Sequence, residues 1–244
     1  METQPIITIK NLYKSFGKNN ILKGINLNLN KGEDLVILGR SGSGKSVTIK
    51  CIVGLINADK GSIKISGKEI TDLKYEELNS LRVRIGFMFQ NGALYDSMSV
   101  RQNLKFTLKH HTRDISEEEI ENEIIEALES VGLKESIDKM PAELSGGMQK
   151  RIALARALII KPEIILYDEP TSGLDTITSR EISELILDVQ KKFKTSSIII
   201  THDMACAKIT GNRILILKEG QITAEGTYAE LEKSKDEWVR SFFV

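Results

Sequence analysis

The stretch Gly39–Ser46, Gly-Arg-Ser-Gly-Ser-Gly-Lys-Ser, restricts what this chain can fold into more than any other. It follows Asp34-Leu-Val-Ile-Leu38, an apolar run of strand length. It precedes Val47–Ile56, which is apolar nearly all round, as a buried helix is. Strand, glycine loop and helix in that order fit G-x-x-x-x-G-K-[ST], a loop that holds phosphate. Gly39, Gly42 and Gly44 let the backbone turn tightly, so successive N–H groups converge on one anion. The helix beginning near Lys45 adds its positive N-terminal dipole. Lys45 then reaches the β- and γ-phosphates of a nucleotide, and the Ser46 hydroxyl ligates Mg²⁺. Arg40, Ser41, Ser43 and Val47 complete the candidate ATP-binding segment.

Bulk properties narrow the classes. A chain of 244 residues suits one large domain or two small ones and buries a proper core without disulfides. With 34 basic and 34 acidic residues the net charge is zero, which points away from nucleic acid as a partner. The two cysteines, Cys51 and Cys206, lack metal-ligand spacing, and Cys51 reads as a small buried hydrophobe. The start, Met-Glu-Thr-Gln-Pro, has neither the basic end nor the apolar core of a signal peptide, so none is expected. No apolar run approaches membrane-spanning length, so any pore that this chain drives belongs to another chain.

Ile6–Leu12 and Ile21–Leu29 read as strands around a Gly-Lys-Asn-Asn turn. Gly61–Gly67 and Ile85–Phe89 read as further strands, and from Asn91 to about Leu144 the pattern is helical. Ser116 and Glu119 form a capping box, with Ile120, Ile124 and Leu128 recurring at helical spacing behind it. The acidic group Glu117, Glu118, Glu119, Glu121 and Glu123 reads as a solvated helix face, not a metal site. His110 and His111 read as solvent-facing. Ile164–Tyr167 and Ser197–Ile200 are strand-like, separated by a helix carrying Ile182, Leu185, Ile186 and Val189. A last helix runs through Trp238–Phe243. Apolar strands alternating with helices give an α/β fold with a largely parallel sheet, an antiparallel element before the phosphate loop, and a helical insert.

A phosphate loop needs a second strand bearing carboxylates, and Ile164-Ile-Leu-Tyr-Asp168-Glu169 supplies one. At the carboxyl edge of a parallel sheet, Asp168 lies beside the Mg²⁺ of Ser46, and Glu169 polarises the attacking water.

With these motifs the chain resembles the nucleotide-binding subunit of an ABC transporter along essentially its whole length. The resemblance implies a single P-loop NTPase domain of the ABC type. Residues 1–90 and about 145–244 would form the core with its antiparallel β element, and about 91–144 plus the start of the next helix the helical subdomain. It implies that Phe16, with Tyr13 as the alternative, stacks on adenine. Gln90 matches the glutamine of the Q-loop, a contact to magnesium and water at the hinge of the insert. Leu144-Ser145-Gly146-Gly147-Met148, with Gln149 following, matches the signature motif. Ser172-Gly173-Leu174-Asp175 matches the D-loop, and His202 the switch histidine that reads the γ-phosphate. Catalytic roles would fall on Glu169, His202, Gln90 and Lys45, and metal ligation on Ser46, Gln90 and Asp168, with ATP and Mg²⁺ as ligands.

Ser145 can cap the following helix, and Gly146 and Gly147 allow close backbone approach to a γ-phosphate. The family arrangement places that tip too far from its own phosphate loop, so two copies meet head to tail around two ATP molecules. Val47-Thr48 replaces the commoner Thr-Leu, and Tyr167 stands where an aliphatic residue or Phe is frequent; neither touches a chemical group of the site.

A finer resemblance lies in Phe89–Val100, Met140–Met148 and Glu237–Phe243. These segments are similar to the ATPase of Mla-type systems, which partner MCE-domain proteins in moving phospholipid across the bacterial envelope. That implies a lipid transporter with a separate integral membrane permease, an MCE-domain substrate-binding partner, and a cytoplasmic position on the inner face of the inner membrane. Import of another solute, such as an amino acid, is the alternative. DNA-repair and chromosome ABC ATPases carry a long coiled coil or zinc modules, for which the interval between the two glycine motifs is too short.

Overall fold

The apolar segments assemble into two sheets, with one helix between them and most of the others on the far face of the larger one. The computed structural model describes residues 5–112 and 115–243. Residues 1–4, on which the expectation of no signal peptide rests, lie outside them. In chain order the first elements are β1 (Ile7–Phe16), β2 (Asn19–Leu29), β3 (Asp34–Leu38), α1 (Lys45–Ile52), β4 (Lys60–Ile65), β5 (Lys68–Glu69), α2 (Tyr75–Arg82) and β6 (Ile85–Met88). There follow α3 (Val100–His111), α4 (Glu117–Ser130), α5 (Gly146–Leu158), β7 (Ile164–Asp168), α6 (Thr176–Phe193) and β8 (Ser196–Thr201). The chain closes with α7 (Met204–Thr210), β9 (Arg213–Lys218), β10 (Gln221–Gly226), α8 (Tyr228–Glu232) and α9 (Glu237–Arg240).

The larger sheet has the order β10-β9-β3-β8-β7-β6. Its strands run parallel except β10, which returns antiparallel to β9. The smaller sheet, β2-β1-β4-β5, is antiparallel. The inner strands β3, β7 and β8 are buried on both faces, which is why they read as continuous apolar runs and not as alternation. Leu35, Ile37, Leu166, Ile198 and Ile200 face the small sheet and α1. Val36, Leu38, Ile165, Tyr167 and Ile199 face the helices. Within that second core α6 inserts Ile182, Ile186 and Val189, each worth about 1.5–3 kcal/mol on full burial. Helices α3, α4 and α5 pack on one another beside β6.

Several expectations shift. Helix α1 stops at Ile52, short of Ile56, because Gly54 at φ +66° turns the chain out of the helix. The hairpin turn shrinks to Gly17-Lys18, since Asn19 pairs with Phe16 and Asn20 with Ser15. The last helix is only Glu237–Arg240; Phe242 lies beyond it, edge-on to Trp238, and Phe243 edge-on to Tyr228. His110 is exposed, but His111 is half-buried and burial lowers its pKa.

The capping box at Ser116 forms. In the acidic group, Glu117 pairs with Lys105 and Lys109, Glu121 with Arg101 and Glu123 with Lys161. Among the described residues no group of three or more His, Cys, Asp or Glu side chains could hold a metal ion.

Candidate active site

The carboxyl edge of the large sheet brings the ends of β3, β7 and β8 side by side, and the chemically active side chains converge there. The loop after β3 runs through Gly39 into α1. An added Cβ at Gly39 would lie 2.6 Å from both the Leu217 carbonyl and Ser43 Oγ, so no other residue fits. Gly42 (φ +79°) and Gly44 (φ +109°) occupy the left-handed region, which side chains rarely adopt. Arg40, Ser41 and Gly42 are exposed at the tip, Ser43 is buried, and Ser46 and Val47 are half-buried at the helix start. Ser43 Oγ has no hydrogen-bond partner among the described residues, although it is buried. A buried hydroxyl left unsatisfied in a ring of N–H donors suits an anionic ligand.

Lys45 Nζ folds back on its own loop, donating to the Gly39 carbonyl at 2.8 Å and the Arg40 carbonyl at 3.4 Å. It also lies 3.3 Å from Glu169 Oε1. The other carboxylate oxygen, Glu169 Oε2, contacts His202 Nδ1 at 2.7 Å and accepts from the His202 N–H at 3.3 Å. Cation, carboxylate and imidazole therefore form one line. Glu169 is only 7% exposed and holds φ +52°, an unusual conformation for a residue with a Cβ. Its N–H donates to the Ile200 carbonyl, which fixes it against β8.

Beside it, Ser46 Oγ donates to Asp168 Oδ1 at 2.8 Å. Burial raises the Asp168 pKa, partly offset by that hydrogen bond. A hydroxyl and a carboxylate in contact are hard oxygen donors, the set that Mg²⁺ takes when it keeps several waters. Gln90 is exposed just past β6, and its carbonyl accepts from Lys150. His202 is 61% exposed, so its second ring nitrogen faces solvent.

One cavity is lined by Phe16, Ile21, Gly42, Gly44, Lys45, Ser46 and Val47. Phe16 thus stands at the phosphate loop, with Lys14 Nζ 5.3 Å from its ring centroid. Tyr13, the alternative, does not line this cavity. Its ring lies across Gly24, where an added Cβ would sit 2.9 Å from its hydroxyl.

None of Ser145, Gly146, Gly147, Met148 or Gln149 lines the cavity either. Ser145 caps α5, accepting from the Met148 N–H at 3.3 Å, and Ser145 and Gly146 are exposed. Met148 packs on the helical core, and Gln149 donates to the Pro141 carbonyl, so both point inward. Gly147 abuts α6: an added Cβ would meet Thr178 Cγ2 at 2.6 Å. Of the D-loop, Asp175 caps α6 through the Ile177 and Thr178 N–H groups, while Ser172, Gly173 and Leu174 share a second cavity with His202. Sequence reasoning missed Lys150, a buried lysine on α5 that touches both the loop after β6 and the loop between β7 and α6.

The family described as ABC transporter matches residues 22–172. The probable ribonucleotide transport ATP-binding protein mkl of Mycobacterium leprae is 39% identical over 97% of this chain and 68% of its own length. Protein TRIGALACTOSYLDIACYLGLYCEROL 3, chloroplastic, of Arabidopsis thaliana is 40% identical over 99% of this chain and 74% of its own. The methionine import ATP-binding protein MetN of Campylobacter jejuni is 39% identical over 93% of this chain and 72% of its own. The structure of the ATP-binding cassette MJ0796, dimeric in a post-hydrolysis state with ADP and Pi, superimposes with a TM-score of 0.83. It is 34% identical, covering 91% of this chain and 98% of that one. The structure of cbiO1 from Clostridium perfringens superimposes with a TM-score of 0.85 at 29% identity, covering 99% and 100%. A phosphate loop facing Asp168 and Glu169 across parallel strands is what an ATP-hydrolysing cassette requires, and the chain belongs to the ABC transporter family.

Proposed function

We propose that this chain is the ATPase subunit of a bacterial lipid transporter and works as a head-to-tail dimer on the cytoplasmic face of the inner membrane. Each phosphate loop would take ATP, with adenine on Phe16. Ser145 and Gly147 of the second copy would close the site over the γ-phosphate. The observation that carries the dimer is the placement of the signature tip: exposed, capped, with the unpaired N–H groups of a helix start, and absent from the chain's own nucleotide cavity. The dimeric state of the MJ0796 cassette supports it.

Glu169 orients and deprotonates the attacking water. His202, 2.7 Å away, takes up or returns the proton at Nδ1 and steadies the transferring phosphoryl through its exposed nitrogen. Lys45 leaves Glu169 for the phosphates when nucleotide binds, freeing the carboxylate for its role as base. Mg²⁺, held by Ser46, Asp168 and Gln90, would offset charge on the phosphate oxygens.

An apolar groove of Val53, Leu55, Phe87, Phe89, Thr107 and Ile160 runs between the core and the helical insert. It begins just before Gln90 and suits a cytoplasmic helix of a separate permease, so closure of the dimer reaches the membrane through the hinge at Gln90. No helix among the described residues is long and apolar enough to cross a membrane. The cbiO1 cassette, part of the complex cbiONQ, supports assembly of this kind.

Lipid as cargo rests on the segments Phe89–Val100 and Met140–Met148. The Arabidopsis relative, whose name is that of a diacylglycerol glycolipid, supports it. Methionine import, after the MetN relatives, is the second reading. Purification of the tagged chain from membranes decides between them. Recovery of a permease, an MCE-domain protein and bound phospholipid by mass spectrometry supports the lipid reading. A complex with a soluble amino-acid-binding protein and no lipid refutes it.

A further inference from the structure

Lys150 lies on α5 beyond the signature motif, and the residue is 7% exposed. An ammonium has three donors and no acceptor, and here three acceptors surround it. They are the Gln90 carbonyl, the Glu169 carbonyl at 3.3 Å and Ser172 Oγ at 3.2 Å. They come from two loops: Gln90 from the one after β6, and Glu169 and Ser172 from the one that joins β7 to α6. All three are neutral oxygens, and among the described residues Lys150 forms no ion pair. Burial lowers its pKa, while Glu169 and Asp168 hold it up. Burying a charge in this way is unfavourable beside an apolar side chain of the same length, so packing does not account for a lysine here.

The Glu169 carbonyl that it grips belongs to the residue at φ +52°, and the same oxygen accepts from the Ser172 N–H at 3.1 Å. Where that carbonyl points sets where the carboxylate points, towards Lys45 and His202. Met148 and Gln149 hold the start of α5 against its own subdomain, so a shift of α5 moves Nζ against both loops together.

We propose that Lys150 is a positioning residue that ties the signature helix to the Gln90 loop, the Glu169 backbone and Ser172. Seating of Ser145 on the other copy's nucleotide is thereby transmitted to the catalytic carboxylate within the same chain. This rests on the reading of Glu169 as the base and of Ser145 as a contact in trans. The ammonium does not touch nucleotide; it acts through Glu169.

The test uses the full chain with Lys150→Met, which keeps length and removes every donor, and Lys150→Gln, which restores two. Glu169→Gln serves as the control for the base. Steady-state hydrolysis and ATP affinity of the isolated chain are measured together. Lys150→Met is expected to lower kcat about tenfold or more with ATP affinity unchanged within about twofold, a loss confined to the transition state. Lys150→Gln is expected to recover at least about a third of the parental kcat, because donors and not charge are what the loops need. Ser172→Ala, at a half-buried surface position, removes one acceptor and is expected to cost about twofold to fivefold in kcat.

A parental rate in Lys150→Met while Glu169→Gln is slow overturns the proposal and leaves the base intact. Equal impairment of Lys150→Met and Lys150→Gln also overturns it. If Lys150→Met does not fold, parental rates in both Lys150→Gln and Ser172→Ala do the same. A fast Glu169→Gln overturns the base reading instead.

Discussion

Replacing Glu169 by Gln exchanges one carboxylate oxygen for an amide nitrogen and leaves the side chain's shape almost unchanged. The surroundings dictate how the amide sits. Lys45 Nζ, 3.3 Å from Oε1, accepts no hydrogen bond, so the amide oxygen stays on that side. The nitrogen then faces His202 Nδ1 at 2.7 Å, which accepts once the ring proton moves to the outer nitrogen. One bond is lost, since the His202 N–H, 3.3 Å from Oε2, no longer meets an acceptor, and the buried ion pair with Lys45 becomes an ion–dipole contact. At about 0.5–1.5 kcal/mol for the bond and a similar amount for the weakened pair, the melting temperature should fall by about 2–12 °C in a chain of this size. Hydrolysis should fall about 10²–10⁴-fold, because an amide cannot take the proton from water. Single-turnover hydrolysis at saturating ATP, beside thermal unfolding of the same preparations, measures both. A rate within about tenfold of the parent refutes Glu169 as base. A melting temperature lowered by well over about 15 °C refutes the view that its contacts are mainly catalytic.

Phe16→Ala should weaken ATP binding by about 1–3 kcal/mol, the worth of one aromatic stack on a base, while Tyr13→Ala leaves it unchanged; equilibrium binding of a fluorescent ATP analogue ranks the two. Gly147→Ala should abolish ATP-driven association, because its Cβ meets Thr178 Cγ2 at 2.6 Å, and Gly147→Ala with Thr178→Ser should recover it, as sedimentation velocity would show. Asp34, buried with Oδ1 unpartnered, has its pKa raised by burial from the ordinary 3.8 to about 6. The folded chain therefore keeps a proton that the unfolded chain has released, so stability falls as pH rises from about 4 to 6 and the full cost, about 3 kcal/mol, stands above that. Asp34→Asn should raise the melting temperature at pH 8 and about half as much at pH 5; parallel curves for the two proteins across that range would count against the burial argument.

Features decided by a few neighbouring residues could be read from the chain. The phosphate loop needs Gly39, Gly42 and Gly44 for close approach and for positive φ, and Ser116 and Ser145 cap helices through their own N–H neighbours. Strands buried on both faces announce themselves as continuous apolar runs, as Ile164–Asp168 does. What escaped depends on distant partners. Helix α2 buries only Leu81 and so shows little periodicity. Strand β9 is central by pairing to β3, yet nothing local to Arg213–Lys218 says which strand it joins. Lys150 looks like any lysine on a polar helix face, because its acceptors at Gln90 and Glu169 lie far off in sequence. The terminal aromatics suggested a longer helix, but Phe243 is held by Tyr228 and Trp238 by Lys218, contacts made across elements.

The central claim is that neither copy holds a complete catalytic pocket. Hydrolysis per chain, followed against the concentration of purified protein and alongside its sedimentation, tests this most directly. The account predicts a rate that climbs with concentration as ATP-bound dimers form, and a rate near zero throughout for Ser145→Arg, whose exposed tip could no longer reach a second copy's nucleotide. A rate per chain that stays level down to concentrations where only monomer sediments, and that survives Ser145→Arg, would contradict it.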